Sequence, residues 1–113
     1  MSEVLELVES YNEYLSTLPK GIEYIYTSLR NKEVEQALEV IKNFSEGLIW
    51  LESATKILKN DNDEVNISLN EILPYLEEVN SAIEKNDFYL VADIFEYEIL
   101  EYCKKIKFIN LSQ

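Results

Sequence analysis

The sequence predicts an all-α protein, an antiparallel four-helix bundle with a long first helix kinked at a proline. Three observations lead there. Apolar residues recur at alternating steps of three and four along most of the 113 residues. Turn residues are scarce: Gly21 and Gly47 are the only glycines and Pro19 and Pro74 the only prolines, too few for the tight reversals of an all-β fold. The polar breaks between the periodic stretches are short, which favours antiparallel neighbours. A chain of this length is expected to form a single domain, residues 1–113, with one core.

The first stretch carries Val4, Val8, Tyr11, Leu15, Leu18, Ile22, Ile25 and Leu29 on one seam. The seam keeps its phase through Pro19, and two independent helices would have no reason to do so across a break. One helix over about 2–30, bent at Pro19, is therefore expected. The alternative is a break at Ser16-Thr17, with Pro19 in the first turn of a new helix.

A second helix over about 33–59 follows, with Val34, Ala37, Leu38, Ile41, Phe44, Leu48, Leu51, Thr55 and Leu58 on its main face. The run from Asn60 to Asp63 ends it. A capping-box pattern, Ser68-Leu69-Asn70-Glu71, opens the third helix with Ile67 and Ile72 as its hydrophobic staple. Its seam is Leu69, Ile72, Leu76, Val79 and Ile83, again in phase through a proline, Pro74. Asn86-Asp87 supplies a turn and an N-cap for the fourth helix, whose seam reads Phe88, Ala92, Phe95, Ile99, Tyr102, Ile106 and Ile109.

Composition excludes much chemistry. Against 22 acidic residues stand 10 basic ones, a net charge of −12, and histidine is absent. There is no histidine base, no zinc site of the usual type, no disulfide framework and no polycationic face for nucleic acid. Di-iron bundles need Glu-x-x-His pairs, which this sequence cannot make. Asp93, Glu96 and Glu98 read as a solvated face with Glu98 at the seam margin, where a tyrosine hydroxyl is its expected donor. Asp61-Asn62-Asp63-Glu64 opens like a calcium loop but puts no glycine at the sixth position. Lys104, Lys105 and Lys107 complement a helix C-terminus, and Glu52–Lys56 and Glu101–Lys105 read as i,i+4 pairs. No phosphate loop, nucleophile elbow or dinucleotide fingerprint occurs. The expectation is a protein without enzymatic activity or cofactor.

The N-terminal Met1-Ser2-Glu3-Val4-Leu5-Glu6 lacks the basic start and unbroken apolar stretch of a signal peptide, and apolar runs such as Leu48 to Leu51 fall far short of a membrane span. Cys103 has no partner cysteine, which suits a reducing compartment. A cytoplasmic protein is expected, with no membrane and no nucleic-acid partner.

What exceeds a simple bundle is a surplus of apolar faces. The second helix carries another stripe, Gly47, Trp50, Ala54 and Ile57, expected about opposite its main face. The fourth carries Tyr89, Leu90, Tyr97, Leu100 and Phe108 away from its seam. Helices apolar on two sides in so small a protein predict a second contact surface. Acid is uneven too: residues 61–86 hold seven acids against one lysine, half of the net charge. The resulting expectation is a module that binds a protein partner or a second copy. Trp50, Ile57, Tyr89, Leu90, Tyr97 and Leu100 serve as anchors, and Glu77, Glu78 and Glu84 set electrostatic preference. The alternative is a ligand-binding or enzymatic bundle with a pocket lined by tyrosines and Glu98.

The segment from Ala82 to Ile99, Ala-Ile-Glu-Lys-Asn-Asp-Phe-Tyr-Leu-Val-Ala-Asp-Ile-Phe-Glu-Tyr-Glu-Ile, resembles the end of small, uncharacterised all-helical proteins of low-GC Gram-positive bacteria. Residues 37–51, with Gly47-Leu48 inside, are similar in the same way. That resemblance implies a helical fold and carries no activity. In size, acidity and helical content the chain is also similar to flagellar and type III export chaperones, an architectural likeness that transfers no binding residue.

Overall fold

In the computed structural model, residues 2–58 and 69–106 are described, and all of their regular structure is helical. Helix α1 spans Ser2–Arg30 and α2 spans Val34–Leu58. After residues that lie outside the described part, α3 spans Leu69–Glu84. A fourth helical run then comprises α4 (Phe88–Asp93), a π-helical stretch (Ile94–Ile99) and α5 (Leu100–Lys104). The capping box at Ser68, the calcium-like run at Asp61, and Lys107, Phe108 and Ile109 fall outside the described residues.

Helix α1 is continuous through Pro19, so the break at Ser16-Thr17 does not occur. Proline supplies no N–H to the Leu15 carbonyl. Just before it, the hydroxyls of Ser16 and Thr17 donate to the carbonyls of Glu13 at 2.6 Å and Tyr14 at 2.7 Å. At about 1.5 Å per residue its 29 residues nearly match the 47 Å long axis of the molecule. The helix therefore acts as a spine. It packs against α2, α4, the π stretch and α5, whereas α3 packs against α4 and the π stretch.

Most of the predicted seam residues form the core, while Val34, Leu38, Phe88, Tyr102 and Ile106 pack half-buried against it and Cys103, outside the predicted fourth seam, is buried. Val8, Tyr11, Leu15, Leu18, Ile22, Ile25 and Leu29 are all buried, with Val4 at the margin. On α2 the buried set is Ala37, Ile41, Phe44, Leu48, Leu51, Ala54, Thr55 and Leu58. Phe44 meets Phe95 of the π stretch edge to face, ring centroids 5.6 Å apart. Thr55 Oγ1 is buried without a regular hydrogen-bond partner, although the Tyr11 hydroxyl lies alongside it. Cys103 is buried and free, and burial pushes its thiol up to about 12.

The helices turn in the same way at two places. Glu33 N donates to Ser28 O at 2.8 Å and Lys32 N to Leu29 O at 3.1 Å. Asp87 N donates to Ala82 O at 2.8 Å and Asn86 N to Ile83 O at 3.0 Å. Each pair is a Schellman closure, with Lys32 (φ 66°) or Asn86 (φ 57°) in the left-handed position. Asp87 also caps α4, its carboxylate accepting from Leu90 N at 3.2 Å, as expected of the Asn86-Asp87 turn. Across the molecule, Arg30 donates to Asp93 at 2.9 Å and to Glu96, and its guanidinium lies 5.2 Å from the Tyr26 ring centroid.

Two local expectations change. The fourth helix was expected to be regular, yet Leu100 N reaches back five residues to Phe95 O, so one extra residue is wound into the π turn. Glu101 pairs with Lys104 at 3.4 Å, where i,i+4 spacing had suggested Lys105.

Candidate interaction surfaces

The anchors expected to form one partner surface lie in different places. On α2, Trp50 is 39% exposed and Ile57 55% exposed. Their stripe does not continue as an opposite face. Ala54 is buried, and a Cβ at Gly47 would lie 1.6 Å from the Tyr14 hydroxyl. Both residues sit on the shoulder of the main face, beneath α1, and the missing side chain at Gly47 lets Tyr14 reach the Trp50 ring at 6.0 Å between centroids. The outward face instead carries Ile49, 60% exposed, beside Trp50 and Ile57, with Lys42, Glu46, Ser53 and Lys56 around them. Sequence reading missed Ile49. Its signal was an isoleucine at helical spacing among residues that are otherwise charged or hydroxylic.

The fourth run divides as well. Tyr89 is exposed near the two turns, where it helps line a cleft with Leu29, Val34 and Phe88. Leu90 and Tyr97 are exposed further along. Leu100 corrects the expectation: it packs against the core half-buried and is no free anchor. Glu77, Glu78 and Glu84 are exposed on α3, and Glu78 shares a cleft with Leu90 and Tyr97.

Between α3 and the fourth run lies a concavity. One depression, about 410 Å³, is lined by Glu71 and Tyr75 from α3 and by Tyr97, Glu98, Glu101 and Tyr102 opposite. Lys105 and Ile106 close its end. A second, about 280 Å³, shares Tyr75, Tyr97 and Glu98 and adds Glu78, Leu90, Asp93 and Ile94. The shared lining makes them one open trough. Glu98 is exposed at its centre, and the Tyr75 hydroxyl is the expected donor to it. The charge of Glu98, and then that hydrogen bond, hold the Tyr75 hydroxyl above its ordinary pKa. The tyrosine- and glutamate-lined pocket of the alternative reading thus takes the form of a surface trough.

Among the described residues no group of His, Cys, Asp and Glu could hold a metal ion. Among them, too, no helix is long and apolar enough to cross a membrane. A protein-family model, described as a domain of unknown function (DUF8042), matches residues 6–108. No curated protein and no solved structure matches the chain.

Proposed function

The chain belongs to the family described as a domain of unknown function (DUF8042), and we propose that it works as a non-enzymatic, cytoplasmic protein–protein interaction module, a self-associating adaptor or chaperone-like domain. In this reading the four helices pack as an antiparallel bundle with α1 bent at Pro19, and a second copy covers the outer face of α2. The observation that carries it is that face: Ile49, Trp50 and Ile57 are exposed together on a helix whose principal neighbour among the described elements is α1. Charge supports a second copy as occupant. An antiparallel two-fold pairing centred near residue 51 sets each Glu46 opposite Lys56 of the other copy, with Ser53 small enough for close approach.

Sedimentation velocity over a concentration series tests it, with emission from the single Trp50 as a second readout. The expected result is a dimer whose Trp50 emission shifts to the blue as it forms. Trp50→Glu and Ile49→Glu should both sediment as folded monomers; the second leaves the Tyr14–Trp50 contact alone and so separates association from stability. A wild-type monomer at every concentration, indistinguishable from both variants, overturns the reading.

A further inference from the structure

The trough between α3 and the fourth run has length, aromatic walls and carboxylates but little positive charge. Along the fourth run it extends from Leu90 to Ile106, about 24 Å at helical rise, or roughly four turns of a docked helix. A compact ligand would leave most of that length empty. Tyr75 and Tyr97 present rings where the two depressions meet, and Leu90 and Ile106 give apolar ground at the two ends. Such walls suit the alkyl stems and cationic heads of long basic side chains.

The charges in the described lining are mostly of one sign. Glu71, Glu78, Glu98 and Glu101 line the trough, and Lys105 is the cation in the described lining. Asp93 is already engaged by Arg30 and Glu101 by Lys104, so these two belong to the scaffold rather than to the occupant. Glu98 accepts from the Tyr75 hydroxyl, and a carboxylate accepts several hydrogen bonds. An acidic partner would meet like charge along most of the length.

We infer that this trough seats a helical, lysine- or arginine-bearing segment of a partner protein, its basic side chains reaching Glu98 past the rings of Tyr75 and Tyr97. The site is separate from the outer face of α2.

Titration calorimetry of the full chain with a synthetic amphipathic peptide of about 16 residues, lysine and leucine at helical spacing, tests the inference. Binding is expected at about 50 mM salt and should weaken steeply at about 500 mM. Glu98→Gln should weaken it roughly tenfold, and Tyr97→Ala several-fold. Glu77→Gln removes the same charge from the same helix-bundle surface outside the trough and should change affinity less than about twofold. Trp50→Glu should bind the peptide as wild type does, which keeps this result distinct from self-association. No binding overturns the inference. So does equal weakening by Glu77→Gln and Glu98→Gln, which would mean attraction to net charge alone. Spermine binding as tightly as the peptide, with the same dependence on Glu98 and Tyr97, would replace the helical occupant with a free polyamine.

Discussion

The α1–α2 and α3–α4 hairpins turn through the same backbone geometry and present opposite outer surfaces. Both close with a Schellman pair of hydrogen bonds around one left-handed residue. Beyond the turn they diverge. The first hairpin shows solvent an apolar strip on α2, Ile49, Trp50 and Ile57; the second shows a trough lined by acids and tyrosines. The way a hairpin turns is thus set by a few backbone bonds, and what it offers a partner is set by the residues left outside the seam. Function must be sought in the difference.

The hairpins are held to one another across buried chemistry, so the largest expected effect is their separation at high pH. Cys103, on α5, is held at about 12 against an ordinary 9.0, and Tyr11 and Tyr14 on α1 are raised as well, by burial first. The unfolded chain releases these protons before the folded one does. Stability is therefore fully present below pH 9 and declines as pH rises toward 12, by about 1.4 kcal/mol per pH unit from the thiol alone. Urea midpoints measured from pH 7 to 10.5 should fall from about 9 in the wild type, while Cys103→Ala holds level until the tyrosines begin to titrate near 10. Equal slopes in both would remove the thiol from the account.

Caps distinguish the hairpins at a smaller scale. Asp87→Ala removes the carboxylate that accepts from Leu90 N and should cost about 1 kcal/mol in chemical denaturation. Glu33→Ala, at the equivalent place before α2, should cost less than about 0.5 kcal/mol, because Glu33 serves that turn through its backbone. Smaller still is the effect of the left-handed residue. Lys32→Gly relieves a strained φ and should stabilise by up to about 1 kcal/mol, whereas Asn86→Gly should change stability by only a few tenths, since asparagine tolerates that conformation. Identical responses would erase the asymmetry between the turns.

Much of this fold was legible because buried helix faces leave a three-four rhythm, and Ile22, Ile25, Ile72 and Ile99 are fully buried where that rhythm put them. Gly47 and Ala54 were misplaced for a physical reason: residues with little or no side chain carry almost no hydrophobic signal, so their side of the helix is decided by what reaches over them, here Tyr14. Leu100 turned inward because the π turn shifts the phase of everything after it, and that shift is a matter of hydrogen-bond partners rather than residue types. The trough brings Tyr75 against Glu98, and pairwise proximity across two helices leaves no periodic mark in either.

The π turn at Ile94–Ile99 has a consequence for the gene as well as the fold. It accommodates one surplus residue between two α-helical flanks that both keep their buried sides, Val91 and Ala92 before it and Cys103 after it. A codon lost from this stretch would let the helix close to ordinary winding with both flanks still facing inward, whereas a codon lost in the middle of α1 would rotate half the spine out of the core. Shortening of the coding sequence therefore has a natural reservoir beside the trough, where one residue fewer re-aims Tyr97 and Glu98 without dismantling the domain.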